Sequence, residues 1–178
     1  MKCPLDLWVY QEIICTLRPD VIVECGTYRG GGALFLASIC DLVNHGRIIT
    51  IDTKRWSDVM PRHKRIEYLI GSSTSDVVVR QVEKAARAKK TLVILDSDHS
   101  KENVLAELRS YSRFVSVGSY LIVEDTNING HPVRPDFGPG PWEAVKEFLQ
   151  ENNNFAVDSS KERFFLTMNP GGYLKRIS

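Results

Sequence analysis

Residues 91–99 read TLVILDSDH, so two carboxyl groups and an imidazole directly follow a run of apolar residues. A second apolar run, SYLIVED at 119–125, also ends in two carboxyl groups. Because neighbouring parallel strands end at the same edge of a sheet, Asp96, Glu124 and Asp125 should converge. Converging carboxylates repel one another unless a cation or hydrogen-bond donors lie among them. Carboxylate oxygens are the ligands that Mg²⁺ prefers, so these three residues are a predicted divalent-metal site.

Each of these carboxyl groups also has a simpler explanation. Asp96 could cap the next helix or bond a neighbouring loop, and Glu124 and Asp125 could form a solvated strand end. Asp98 precedes Ser100 by two residues and could cap the same helix. The metal site is favoured because basic residues are scarce at these strand ends.

An imidazole lies close to the predicted metal site. His99 follows Asp96 by three residues, and its ordinary pKa of about 6.5 suits proton abstraction from a metal-bound hydroxyl group. A lone histidine in a loop is often a bystander, and His131 in a later loop could reach the same site. We expect His99 and Asp96 to be the catalytic residues.

The stretch ECGTYRGGG at 24–32 indicates a ligand-binding turn that follows another apolar run. It is not the G-x-G-x-x-G pattern, and a carboxylate at Glu24 suits a cationic or hydroxyl-bearing ligand better than a pyrophosphate. Asp52 lies 26 residues after Gly26, where nucleotide-binding folds place the acceptor for a ribose diol. Alternatively, Gly26 and Gly30 only make a tight turn and Asp52 caps a helix. Because the signals occur together and in order, we favour a nucleotide-type cofactor.

Apolar runs of strand length alternate with amphipathic stretches of helical length, which predicts an α/β fold with a Rossmann-like, doubly wound sheet. Strands that are apolar on both faces should be parallel and covered by helices on both sides. The predicted strands span 21–26, 47–53, 66–73, 91–96, 119–125, 155–158 and 163–169. The predicted helices span 4–17, 31–43, 74–90, 100–113 and 142–150, with Asp6 as a possible cap of the first. A short turn before the last strand makes it antiparallel in a mostly parallel seven-stranded sheet.

The composition predicts one globular domain over residues 1–178, with 43% hydrophobic and 25% charged residues. A net charge of +1 supplies no field that would attract nucleic acid. No apolar run approaches the ~20 residues of a membrane-spanning helix, and the first residues lack a signal-peptide pattern, so we expect no membrane partner. Four cysteines without C-x-x-C spacing predict reduced thiols in a cytoplasmic protein rather than a zinc site.

Several blocks of the sequence resemble the cephalosporin hydroxylase family. They are ECGTYRGGGALFLAS, IDTK, IEYLIGSS, LDSDHSKENVLAELRSYSRFVSVGSYLIVEDTNINGHPV and PGGYLKRI. The similarity covers essentially the whole chain, and LDSxH and VEDT are its most specific parts. The resemblance implies the class I S-adenosylmethionine-dependent methyltransferase fold. It also implies kinship with Mg²⁺-dependent O-methyltransferases of macrolide sugars and rhamnosyl groups.

The resemblance further implies roles for particular residues. Asp96, Glu124 and Asp125 would hold the metal, and His99 would be the base. Asp52 would bind the ribose hydroxyl groups. The cofactor-binding positions would be Glu24, Gly26, Thr27, Gly30, Asp52, Ser72, Ser73 and Asp96. Among these, the glycine-rich turn would hold the methionine part of S-adenosylmethionine, and the two serines would lie near the adenine.

The residues favour methyl transfer over hydroxylation, which needs a redox metal or flavin, because no 2-His-1-carboxylate set is evident. Ser97, Asp98 and His99 stand where catechol enzymes place a lysine, which favours a sugar-type or aliphatic hydroxyl group as acceptor. We expect the acceptor to be a small molecule recognised by residues 126–141, residues 54–65 or a neighbouring subunit in a possible homo-oligomer.

Three other functions remain open from the sequence. The first is a non-catalytic S-adenosylmethionine-binding partner of an oxidising system. The others are an NAD-type reductase and a sugar-binding module, which the absent G-x-G-x-x-G and the cofactor-site residues respectively disfavour.

Overall fold

The computed structural model describes residues 2–178 and contains one seven-stranded sheet with helices on both faces. Its strands are β1 Val21–Cys25, β2 Arg47–Asp52, β3 Ile66–Ile70, β4 Thr91–Leu95, β5 Tyr120–Val123, β6 Phe155–Val157 and β7 Tyr173–Arg176. Its helices are α1 Pro4–Leu17, α2 Gly31–Leu42, α3 Asp76–Ala86, α4 Lys101–Tyr111 and α5 Pro141–Glu151. Short 3₁₀ turns span Ser112–Phe114 and Ser159–Glu162. Within this described part, no helix combines the length and apolar character that crossing a membrane requires.

The strand order is β3-β2-β1-β4-β5-β7-β6. Strands β1 to β5 pair in parallel, and β7 is antiparallel to both β5 and β6. The predicted doubly wound sheet with an antiparallel last strand is therefore confirmed. Register aligns Cys25 with Leu95 and Leu95 with Val123, so the residues that follow β1, β4 and β5 meet at one edge.

The core has two halves because side chains on each central strand alternate between the faces of the sheet. On β1, Val21, Val23 and Cys25 pack toward α3, α4 and α5, whereas Ile22 packs toward α1 and α2. Every residue of β1, β4 and β5 is buried. This explains why these strands are almost wholly apolar, with Glu24 as their one charged residue, and makes the edge at which they end rigid.

The prediction for the last strand was wrong in its position. Residues 163–169 form no strand, and Phe165 within them is fully exposed, whereas β7 begins at Tyr173. The backbone N–H of Met168 donates to the Asp6 carboxylate at 2.9 Å, so a side chain of α1 takes a donor that a strand would use. The alternating pattern of RFFLTMN therefore did not identify a strand.

Asp6 is not the cap of α1. The helix begins with Pro4, whose missing N–H costs nothing in the first turn, and Cys3 precedes it without a side-chain cap. Asp6 is buried and accepts hydrogen bonds from the hydroxyl groups of Thr167 at 2.6 Å and Tyr173 at 2.9 Å. It therefore joins α1 to the C-terminal segment.

Candidate active site

Three of the predicted residues converge where β4 and β5 end. Side-chain atoms of Asp96, His99 and Asp125 lie within 4.8 Å of one another. His99 Nε2 is 2.9 Å from Asp125 Oδ2 and 3.9 Å from Asp96 Oδ1. Asp125 has a left-handed backbone with φ of 55°, and its N–H donates to the side-chain oxygen of Asn169 at 3.1 Å. This hydrogen bond fixes the turn that directs Asp125 toward the cluster.

The carboxylates around His99 control its charge. Burial alone would lower the pKa of His99, but the hydrogen bond and charge of Asp125, with smaller effects from Asp96 and Glu124, raise it above the ordinary value. Conversely, burial opposes ionisation of Asp125, yet its bond to His99 lowers the pKa of Asp125. The two groups form a strongly polarised pair at the mouth of the site.

Lys2 places a positive charge among the acids, which the sequence did not suggest. Its ammonium group lies 2.5 Å from Glu124 Oε1, 2.7 Å from Asp96 Oδ2 and 3.5 Å from Glu24 Oε1. Burial would lower the pKa of Lys2, but Glu124, Glu24 and Asp96 raise it overall, so the group is cationic. Glu124 thus lies with Lys2, while the other two predicted metal ligands, Asp96 and Asp125, lie with His99.

Glu24 lies beneath this cluster at the end of β1. Its side chain is buried, and Thr50 Oγ1 donates to its Oε2 at 2.7 Å. Its Oε1 has no hydrogen-bond partner among residues 2–178, and burial raises the pKa of the group against the opposing effect of Lys2. A Cβ at Gly32 would meet that oxygen and Lys2 Cε, so a larger residue there would displace both side chains.

A cavity of about 560 Å³ extends from this cluster along the carboxyl ends of β1 to β4. Its size suits a ligand of cofactor dimensions. The predicted cofactor residues that line it are Gly26, Asp52, Ser72, Ser73 and Asp96, and Tyr28, Trp56, Ser97, Asp98 and Asn103 also contribute. Residues from two predicted sets, cofactor and metal, therefore meet at Asp96.

Asp52 lies at the end of β2, as expected for a ribose-binding acid. The backbone N–H of Tyr28 donates to its Oδ2 at 2.8 Å, and Trp56 Nε1 donates to its Oδ1 at 3.0 Å. The aromatic rings of Tyr28 and Trp56 lie 5.8 Å apart. Trp56 therefore lines the cavity. From the sequence it was predicted only as part of 54–65, a candidate acceptor-binding segment.

The glycine-rich turn has the conformations that its sequence predicts. Gly26 has φ of 101° and Gly30 has φ of 78°, both left-handed. Thr27 is buried and its hydroxyl group bonds Thr50 Oγ1 at 2.7 Å, so it supports the turn without lining the cavity. Gly30 likewise does not line the cavity and packs closely on Pro61 and Tyr68.

Asp98 and the two serines occupy the other wall of the cavity. Asp98 accepts the backbone N–H of Ser100 at 2.7 Å, which matches its alternative interpretation as a helix-start cap. Ser72 bonds Thr74 within its own turn at 3.0 Å. Ser73 donates to Glu107, a fully buried residue of α4 that sequence analysis missed because its position follows no motif.

The loop 126–141 is anchored to α5 rather than to the acid cluster. His131 Nε2 and Asn129 Nδ2 each lie 3.0 Å from Glu143 Oε1. Glu143 also accepts the N–H of Gly140, the residue before α5, at 2.7 Å, which is the glutamate half of a capping box. His131 further stacks on Trp142 with ring centroids 4.7 Å apart, so it does not join His99.

We expect Glu143→Gln to destabilise the protein by about 1–2 kcal/mol at pH 7. Partial burial opposes ionisation of Glu143, but bonds from Gly140, His131 and Asn129 outweigh it and lower the pKa of Glu143 to about 2. An acid with a lowered folded-state pKa stabilises the fold above its unfolded pKa, and this stability is lost as pH falls toward 2. The difference between wild type and variant in urea unfolding should therefore shrink between about pH 4.5 and 2. A difference independent of pH would contradict this role.

The fold defines a class: this is the Rossmann-like sheet of S-adenosylmethionine-dependent methyltransferases, with an acid cluster beside a cavity at the carboxyl ends of its strands. The family model described as rhamnosyl O-methyltransferase/CmcI matches residues 1–177. The chain belongs to this family.

Curated relatives agree with the family model. A rhamnosyl O-methyltransferase of Mycobacterium tuberculosis (strain ATCC 25618 / H37Rv) is 38% identical over 183 residues, which cover 98% of this chain and 74% of that protein. A rhamnosyl O-methyltransferase of Mycobacterium leprae (strain TN) is 35% identical, with 99% and 80% covered.

Solved structures match the fold at low sequence identity. CmcI with Mg and SAM gives a TM-score of 0.75 at 20% identity and covers 99% of this chain and 73% of that chain. MycE, a methyltransferase from the mycinamycin biosynthetic pathway, in complex with Mg, SAH and mycinamycin VI, gives 0.56 at 18% identity and covers 79% and 39%.

Proposed function

We propose that this protein transfers the methyl group of S-adenosylmethionine to a hydroxyl group of a sugar-bearing small molecule, with a divalent cation at the acid cluster. Membership of its family makes the chain an S-adenosylmethionine-dependent O-methyltransferase. The acceptor class, the metal and the site residues are what the proposal adds. The observation that carries it is the convergence of Asp96, His99 and Asp125 beside a cavity of cofactor size.

The acid cluster fits a hard divalent cation. Its donors are mainly carboxylate oxygens, and the Lys2 ammonium already stands as a cation between Asp96 and Glu124. Lys2 contacts Asp96 through Oδ2 and Glu124 through Oε1, so each carboxylate retains a second oxygen. Asp96, Glu124 and Asp125 would hold Mg²⁺, which when bound would polarise the acceptor hydroxyl group and lower its pKa.

The cavity fits S-adenosylmethionine. Asp52 presents a carboxylate for the ribose diol. Glu24 Oε1 has no hydrogen bond from the described residues, and it shares the Lys2 ammonium with Asp96, which lines the cavity. The ligand's ammonium and sulfonium groups are cationic, so the surplus of acids around Asp96 favours them electrostatically. The residues that line the cavity after β3 are small and leave room for a planar base. They are Gly71, Ser72 and Ser73.

The residues of this chain then have separate tasks. His99 accepts the proton of the acceptor hydroxyl group, and Asp125 orients its imidazole through the 2.9 Å contact. The acceptor oxygen bonds to the methyl carbon as the carbon–sulfur bond breaks, and S-adenosylhomocysteine leaves. Much of the rate comes from holding oxygen, carbon and sulfur in line.

The proposed acceptor class rests on the two curated relatives, both of which are rhamnosyl O-methyltransferases. Both curated relatives act on rhamnosyl groups by their names, and the identity of 38% and 35% extends over almost the whole of this chain. We therefore propose a deoxysugar hydroxyl group on a glycoside as the acceptor. Two parts of the chain are available to bind this acceptor: Trp56 in the cavity wall, and the loop 126–141.

The proposal is tested by calorimetry and by methyl transfer to rhamnosides. S-adenosylmethionine and S-adenosylhomocysteine should bind and NADH should not. Transfer from labelled S-adenosylmethionine should require Mg²⁺ and stop with chelator. If no adenosyl ligand binds, the assignment of the cavity fails, and if transfer persists in chelator, the metal assignment fails.

We expect His99→Gln to lower the transfer rate by about 10²–10⁴-fold, since it removes the base while keeping a side chain of similar size. S-adenosylhomocysteine affinity should stay within about twofold, because His99 does not line the cavity. His63→Gln is the matched control, since His63 bonds Asp41 at 3.0 Å far from the cluster in the fold. Equal rates for the two variants would remove His99 from the mechanism.

A further inference from the structure

Glu107 is a carboxyl group buried behind the wall of the cofactor cavity. It lies on α4 with no exposed surface, and its Oε2 has no hydrogen-bond partner among the described residues. Its Oε1 receives the hydroxyl groups of Ser73 and, at 2.6 Å, Ser97. A buried carboxyl group with one unsatisfied oxygen costs stability, so its retention calls for a reason other than packing.

The two serines connect Glu107 with the cavity. Ser73 and Ser97 both line it, whereas Glu107 does not. Asn103 Nδ2 donates to Ser97 Oγ at 3.0 Å, and Tyr111 donates to the Ser73 carbonyl oxygen at 2.6 Å. These contacts fix the position of each serine.

The direction of the serine hydroxyl hydrogens follows from the chemistry of Glu107. An ionised carboxylate only accepts, so both hydroxyl groups must donate to Oε1. Burial raises the pKa of Glu107 against the bonds from the serines. If the group is neutral, its proton fits on the unpaired Oε2, and Oε1 still accepts. In either state the hydroxyl groups present lone pairs, not hydrogens, to the cavity.

We infer that Glu107 makes this end of the cavity selective for a 6-aminopurine over a 6-oxopurine. This inference rests on the proposed function, in which the base of the cofactor lies near Ser73, and Ser97 is beside Ser73 because both donate to Glu107 Oε1. An exocyclic amino group donates hydrogen bonds to such lone pairs. A 6-oxo group would place its acceptor oxygen against the acceptor lone pairs of the serine hydroxyl groups and leave these buried polar atoms unpaired. Binding sites discriminate most strongly in this situation. Glu107 acts through the serines and is a positioning residue.

The test compares S-adenosylhomocysteine with S-inosylhomocysteine by calorimetry on the full chain. Wild type should prefer the adenosyl ligand by about tenfold or more. Glu107→Leu frees both hydroxyl groups to rotate and donate, so the preference should fall to within about threefold, mainly because the inosyl ligand binds better. Glu107→Gln is the matched control: its amide oxygen can occupy the place of Oε1, so most of the preference should remain.

A purely structural role for Glu107 would change both ligands' affinities equally and leave their ratio intact, which would overturn the inference. Should Glu107→Leu fail to fold, Ser97→Ala gives the second measurement. This variant should bind the adenosyl ligand more weakly and the inosyl ligand with unchanged affinity. An equal loss of affinity for both ligands would again overturn the inference. If wild type binds neither ligand, the proposed function has failed instead.

Discussion

Asp96→Asn should reduce methyl transfer by on the order of 10³-fold or more, the largest catalytic effect expected in this protein. Asp96 belongs to the acid cluster and also lines the cavity that the proposed function assigns to the cofactor. Its side chain contacts Lys2 at 2.7 Å and lies 3.9 Å from His99 Nε2. The amide keeps the shape of the side chain but removes the negative charge that a cation requires. Single-turnover transfer from labelled S-adenosylmethionine at saturating Mg²⁺ measures the loss.

Asp98→Asn is the control for this substitution. Asp98 is two residues away, lines the same cavity and is exposed, and its carboxylate caps the Ser100 N–H instead of joining the cluster. An asparagine can make the same cap, so the rate should change by less than about threefold. If the two variants lose activity equally, general electrostatics of the cavity rather than a specific ligand role explains the effect.

Gly26→Ala should destabilise the protein by at least about 4 kcal/mol or prevent folding, the largest stability effect of a single methyl group in this chain. A Cβ at this position would lie 1.7 Å from the carbonyl oxygen of Asp96, and the backbone φ of 101° already disfavours any side chain. Neither atom can retreat, because Asp96 N–H donates to the Cys25 carbonyl oxygen at 2.7 Å and Gly26 N–H donates to that of Ile51 at 2.8 Å. Urea unfolding measures the change.

Gly31→Ala tests whether the effect is specific to that contact. Gly31 lies five residues further along the same turn, begins α2, and has no atom within 4 Å of an added Cβ. Alanine is the better helix former, so stability should be unchanged or rise by up to about 1 kcal/mol. A large loss at both glycines would mean that the turn tolerates no substitution and would contradict the contact-based explanation.

The strands that are buried on both faces of the sheet were predicted from the sequence. The runs that became β1, β4 and β5 are mostly apolar because helices cover both faces of the sheet. Helix α1 was predicted with the bounds that the structure shows. The error at 163–169 arose where a side chain of distant sequence, Asp6, binds the backbone. Such a bond depends on packing between α1 and the C-terminal segment, which a local pattern does not contain.

The residues of the candidate site also fall into those that the sequence predicted and those that it did not. Asp96, Asp125 and Asp52 follow strands, so strand order alone brings them to one edge. Lys2 reaches that edge from the residues before α1, and Glu107 reaches it from α4, the helix that follows β4. No local spacing marks either residue. Lysine and glutamate are usually solvated, so only the observed burial distinguishes these two.

Strand β7 lies between β5 and β6, although it is the last of the seven along the chain. Residues just before β7 also hold the end of β5 and the turn after it. The Gly172 carbonyl oxygen accepts the N–H of Val123 at 2.9 Å, and the Asn169 side-chain oxygen accepts the N–H of Asp125. During synthesis, β5 is therefore an edge strand with unpaired backbone groups until residues 169–176 emerge from the ribosome. The nascent chain therefore passes through an aggregation-prone stage, and the hydrogen bonds that position Asp125 form only after residues 169–176 have been added.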